Sequence, residues 1–289
     1  MNRQEYCNSK NVQKFIRWLS QRIDQENSFI HSYVNVKSKE NWYCDSIYSA
    51  FQNYNWSFNC VNKSGGKVSG SSFSESKRVL DEISVDLQES LDNGNEEDCL
   101  SACRQILEWG GVTNKNLDKI RTMEKRCSYF KHAIEIFESD NDLDYYVNSK
   151  LIMNSGFTKI YSLIVRDFII YDSRVGASLG LLVRKFCEEA QIKDIPDELI
   201  FAWRVKRQGL NTGMKTEDNP RNPSIQEYKF PKLTDKSKLH IDNNIRANWL
   251  LNEVLKTTNS KFNSLGERDA LRALESALFM IGYEVRVKY

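Results

Sequence analysis

The residues best placed to do chemistry lie in one stretch, Leu151-Ile-Met-Asn-Ser-Gly-Phe-Thr-Lys-Ile-Tyr-Ser-Leu-Ile-Val-Arg-Asp-Phe-Ile-Ile-Tyr-Asp-Ser-Arg-Val175. An apolar helix is expected to end at Asn154-Ser155-Gly156, a tight hairpin to follow, and a second apolar helix to begin at Thr158. A helix N-terminus beside a Gly-containing turn presents free backbone N–H groups, a ready seat for a phosphate. Lys159 then falls in the first helical turn of a mostly apolar segment. The nearly uncharged run Phe168-Ile-Ile-Tyr171 reads as extended and delivers Asp172 to the N-cap of the next helix, where free amides stabilise a carboxylate. A lysine and an aspartate at the mouths of consecutive helices can converge in one cleft. Burial and the positive end of a helix both push an amine's pKa down, which makes its neutral, nucleophilic form accessible.

A helix–hairpin–helix followed by a loop and an aspartate resembles the helix–hairpin–helix superfamily of DNA glycosylases. The lysine about a dozen residues before Phe168-Ile-Ile-Tyr-Asp-Ser-Arg-Val175 is similar to the bacterial 8-oxoguanine-glycosylase-like families. The resemblance implies that Asn154, Ser155, Gly156 and Thr158 form a hairpin gripping DNA phosphates through backbone amides, with Thr158 standing where the second hairpin glycine is usual. It also implies that Lys159 attacks the sugar while Asp172 assists. Such chemistry requires a neutral amine, a carboxylate facing the positive charge that builds on the sugar, and a base flipped out of the duplex into a pocket. The base implied by default is oxidised guanine. Bacterial relatives of this sort also act against phage, where the target would be a hypermodified base such as a glucosylated hydroxymethylcytosine.

Further candidates lie outside this pair. Arg174 follows Asp172, and residues 203–240 hold nine basic against four acidic residues, in a segment rich in Asn, Gly and Pro that suits phosphate contacts from a loop. Arg174, Arg204, Lys206 and Arg207 are therefore candidate DNA contacts. Trp109, Trp203 and His240 are candidates for a base pocket, with Trp42 and Tyr43 also near loops. Seven cysteines contain no C-x-x-C pair, and none of the three histidines lies near Cys99 and Cys103, the pair four residues apart, so no metal site is expected. Their ordinary place is as small buried apolar side chains in a reducing compartment.

The elements that would position these residues follow from periodicity. An apolar fraction of 40% over 289 residues fits a globular chain, and no apolar run is long enough to span a bilayer. Only four prolines occur, so long helices are permitted. Helices are expected over 12–23, 79–91, 99–109, 117–137, 143–153, 173–190, 196–206, 244–256 and 267–281. Short strands are expected between 28 and 61, a flexible loop over 62–72, and a closing strand at 283–289. The fold expected is mainly α: an N-terminal α+β portion over 1–73 and a helical, glycosylase-like core over 74–289, with its hairpin at 151–165 and its basic loop at 203–240. The function expected is DNA base excision by a cytoplasmic monomer acting on double-stranded DNA, without cofactor, metal or membrane. The alternative is a non-catalytic hairpin subunit that binds DNA within a defence or repair assembly.

Overall fold

In the computed structural model, which describes residues 1–36, 38–205 and 216–286, capping side chains fix the first elements. Helix α1 (Arg3–Asn8) opens with a reciprocal pair, Asn2 Oδ1 accepting from Glu5 N and Glu5 Oε2 accepting from Asn2 N. Helix α2 (Lys10–Ser20) turns Val12, Phe15, Ile16 and Leu19 inward. The antiparallel hairpin of β1 (His31–Val34) and β2 (Asn41–Cys44) pairs Tyr33 with Trp42, whose rings stack at 4.8 Å. After α3 (Ile47–Gln52), a second antiparallel hairpin joins β3 (Phe58–Val61) to β4 (Lys67–Gly70). Part of the segment expected to be a flexible loop is thus strand β4. Its glycine and serine content suggested a loop, yet Asn62 and Gly66 close a tight turn that starts the ladder.

The helical part begins with α4 (Phe73–Asn93), which Gly94 ends at φ 66°, and α5 (Glu96–Trp109), whose amides at Glu97 and Asp98 are capped by Asn95. One helix expected over 117–137 is two, α6 (Asn114–Arg121) and α7 (Arg126–Glu138). The break arises because the Glu96 carboxylate accepts from the amides of Arg126 and Cys127, capping a new helix start from outside. Helix α8 (Leu143–Asn148) stops short of the expected Met153. Lys150 adopts φ 61°, and the amides of Ile152 and Met153 go to Tyr129 Oη and Ser237 Oγ rather than to helical carbonyls.

Helix α9 (Phe157–Ile164) carries Lys159, and α10 (Ser173–Glu189) follows the Phe168–Tyr171 run. Residues 196–206 were expected to be helical. Instead a single 3-10 turn spans Asp197–Leu199, and the chain beyond is extended: Trp203 exchanges backbone hydrogen bonds with Pro231 and Leu233. Helix α11 (Ser237–Thr257) begins earlier than the expected 244 and so includes His240, and α12 (Glu267–Ile281) closes the core. Of the closing strand expected over 283–289, residues 287–289 lie outside the described residues and none forms over 283–286; Tyr283 stacks on Tyr33 at 4.5 Å, and Val285 N donates to Pro220 O.

The protein is mainly helical, with two small two-stranded sheets among the described residues. Helix α12 packs against α3 and α10, α4 against α5 and α9, and α11 against α1, α2 and α8. Aromatic pairs knit the N-terminal elements to the later helices: Tyr6 meets Trp249 at 5.7 Å and Phe15 meets Phe186 at 5.4 Å. All seven cysteines are buried free thiols. Among the described residues no helix is long and apolar enough to cross a membrane.

Candidate active site

The Phe168–Tyr171 run is extended and buried, and a run of exposed amides and carbonyls there would be expensive without partners. Side chains from three helices supply them. Asn248 Oδ1 accepts from Ile169 N at 2.8 Å, Glu275 Oε2 from Ile170 N at 2.8 Å, and Thr158 Oγ1 from Tyr171 N at 3.0 Å. Asn244 Nδ2 donates to Ile169 O at 3.2 Å, and His240 Nε2 lies 2.7 Å from Tyr171 O. His240, Asn244 and Asn248 sit four residues apart on one face of α11, so this face is a backbone clamp that holds Asp172 in place.

Asp172 caps α10 as expected. Its Oδ1 accepts from Arg174 N at 2.8 Å and Val175 N at 3.2 Å, while its other oxygen, Oδ2, lies 3.8 Å from Lys159 Nζ. Lys159 is in the first turn of α9; its side chain is 6% exposed and that of Asp172 14%. Nζ also donates to Ser155 O at 3.0 Å. Burial lowers the Lys159 pKa below that of an ordinary lysine, against the opposing pull of the Asp172 charge. Burial would raise the Asp172 pKa, but Lys159, then Arg221 and the Val175 amide, outweigh it, and the carboxyl sits below its usual range.

Gly110, which reads in the sequence only as the stop of α5, is where the Lys159 stem lies: a Cβ there would stand 2.5 Å from Lys159 Cδ and 2.6 Å from Cε. The pair lines a cavity of about 400 Å³, within the roughly 300–1,000 Å³ usual for small-molecule sites. Tyr54, Trp56, Phe73, Trp109 and Phe279 form its aromatic wall, with Trp56 edge-on to Trp109 at 5.0 Å and to Phe279 at 5.5 Å. Trp109 thus stands where a pocket residue should, its Nε1 donating to Ser76 Oγ.

The other candidates sort differently. Trp203 does not line the cavity: its ring is fully buried and its Nε1 donates to Phe230 O. His240 is equally buried behind Tyr171, and burial pushes its pKa down to about 4, so the ring is neutral and structural. Thr158 is wholly buried, donating towards Ile169 O and Asn244 Oδ1, and cannot touch DNA. The amides expected to seat a phosphate are occupied. Asn154 Oδ1 accepts from Gly156 N and Phe157 N, and Asn154 O accepts from Thr158 N. Asn154 thus takes the amides that lead into α9, whose N-cap position is Gly156, where a Cβ would collide with Asn116. Ser155 lines the cavity through the loop. Arg174 and Arg204 line it too, Arg204 paired with Asp235. Lys206 and Arg207 lie outside the described residues.

Arg221, Arg272 and Glu275 complete the polar wall and were not singled out from the sequence. Glu275 accepts from Arg272 at 2.8 Å as well as from Ile170 N, and burial pushes its carboxyl up. A charged residue on the apolar stripe of a helix, as Glu275 is between Leu274 and Ala277 on α12, is a signal that sequence reasoning can use. Compared with known proteins, the chain matches no family model, no curated protein and no solved structure.

Proposed function

We propose that the protein is a DNA N-glycosylase that draws a modified base into the aromatic cavity and excises it, with Lys159 as nucleophile and Asp172 as its electrostatic partner. The observation that carries this reading is a buried amine, its proton weakly held, 3.8 Å from an ionised N-cap carboxylate on the wall of a base-sized cavity. The Nζ lone pair forms a bond to C1′ as the glycosidic bond breaks, and the departing base leaves with the electron pair of the broken C1′–N bond and takes up a proton. Asp172 Oδ2 faces the positive charge that develops on the sugar. Loss of an Nζ proton and opening of the sugar ring, with protonation of O4′, then give a protonated imine that water can hydrolyse. The aromatic wall offers stacking surfaces to the base. Its volume accommodates oxidised guanine or a hypermodified phage base.

The test is to incubate the protein with duplexes carrying a panel of modified bases, phage genomes included, and to score alkali-labile abasic sites. Sites that vanish in Lys159→Ala while duplex binding persists support the enzyme. Duplex binding with no sites on any substrate supports the non-catalytic DNA-binding subunit instead.

A further inference from the structure

The cavity carries more positive charge than its carboxylates balance. Arg272 is paired with Glu275, Arg204 with Asp235, and Lys77 with Asp81 and Asp269. Lys159, Arg174 and Arg221 are left to share Asp172. The Arg174 guanidinium lies over the Phe279 ring at 4.1 Å and near Tyr283 at 5.0 Å, which occupies its face and leaves the N–H edge unbonded among the described residues. Arg221 donates one Nη1 hydrogen to Ser173 Oγ, and its Nε is buried without a hydrogen-bond partner. Burial lowers both pKa values, and the nearby Arg174 charge adds to burial in holding Arg221 at about 10. Two half-buried guanidinium groups with unused donors, lining the same cavity, are stabilised by a group that offers several anionic oxygens at once. Phosphate has that geometry and arginine is the side chain that matches it.

We propose that Arg174 and Arg221 form a phosphate seat in the cavity wall, which holds the phosphate of the nucleotide whose sugar is presented to Lys159. Its assignment to a nucleotide rests on the glycosylase reading; the seat itself rests on the arginines alone. It replaces the α9 amides, which Asn154 has already taken.

Binding of 2-deoxyribose 5-phosphate, inorganic phosphate and unphosphorylated 2-deoxyribose is to be measured by calorimetry on the full chain. Saturable binding of the sugar phosphate, tighter than that of inorganic phosphate and absent for the bare sugar, is expected. Arg221→Gln and Arg174→Gln should each weaken it at least tenfold, while Lys229→Gln, an exposed lysine of the same segment, should change it less than twofold. Asp172→Asn should tighten it, because the carboxylate competes with phosphate for the same cations. Circular dichroism melts confirm folding, and Arg221→Gln decides the matter if loss of the Arg174 stacking unfolds that variant. No saturable binding by the native chain, or equal binding by Arg221→Gln, overturns the seat. Base release without phosphate binding removes the seat and leaves the glycosylase standing; phosphate binding without base release on any duplex does the reverse.

Discussion

Substituting Gly110 by Ala separates the position of the Lys159 amine from everything else in the site. Gly110 has φ −78° and ψ −7°, an ordinary helical conformation that alanine adopts without strain. As the C-cap of α5 it lies outside the helix interior, so the usual interior propensity gain of alanine over glycine does not apply. The added methyl would stand 2.5 Å from Lys159 Cδ and 2.6 Å from Cε, and 3.3 Å from Ile106 O. Ordinary carbon–carbon contact lies at about 3.5–4.0 Å, so the lysine stem must retreat by about 1 Å. The stem is flexible, so the fold survives; what moves is Nζ, away from Ser155 O and from Asp172. A displacement of about 1 Å at a reacting group costs on the order of 10²-fold in rate. Gly110→Ala should therefore melt close to the native temperature, yet release base about a hundredfold more slowly in single-turnover assays. Native rates in a well-folded Gly110→Ala protein would refute the positioning argument and with it the catalytic place of Lys159.

Asp172→Asn keeps a capping oxygen, so the cap itself should contribute less than about 1 kcal/mol to any stability change, but base release should fall on the order of 10²–10³-fold with the loss of the charge. Because Asp172 is the charge that most raises the Lys159 pKa, its removal should also shift the midpoint of the rate–pH profile to lower pH, and an unshifted midpoint would show that the two groups do not interact. His240 is neutral when folded, with a pKa of about 4 against 6.5 ordinarily. The unfolded chain gains a proton below pH 6.5 that the folded chain takes up only near pH 4, so about 3 kcal/mol of stability should be lost as pH falls across that window. Urea melts of His240→Gln should show that dependence flattened. Thr158→Val leaves the buried Tyr171 amide without its acceptor and should destabilise by about 1–3 kcal/mol, while the salt dependence of duplex binding stays native, since Thr158 reaches no solvent.

The local placement of Lys159 and Asp172 was the most legible part of the sequence. The placement of Lys159 in an early helical turn and of Asp172 at an N-cap followed from local rules, because apolar periodicity and capping residues act over three or four positions. Their convergence at 3.8 Å could only be offered as open to the chain, since it depends on α11, whose His240, Asn244 and Asn248 lie some 70–80 residues away in sequence and clamp the intervening run. The errors share a cause. Glu96 starting α7, Tyr129 and Ser237 taking the amides that end the expected 143–153 helix, and Asn154 consuming the hairpin amides are all side-chain bonds to backbone that no periodicity encodes. Trp203 was misjudged because an aromatic next to a predicted loop looks accessible, whereas its strand-like pairing with Pro231 and Leu233 buries it. Gly110 shows the converse: a residue with a sufficient local reason, ending α5, also makes room for the Lys159 stem.

The most direct measurement is chemical trapping of the Lys159 adduct. Borohydride added during turnover reduces an imine between the enzyme and the opened sugar to a stable amine, leaving a protein–DNA species of raised mass. If Lys159 is the nucleophile, proteolysis and mass mapping should place that mass on the peptide 152–166, and Lys159→Arg should form no adduct, because guanidinium stays protonated at any working pH. Trapping at another lysine, or base release with no adduct at all, would contradict the assignment and leave Lys159 as a contact to the nucleotide, with water activated by another group.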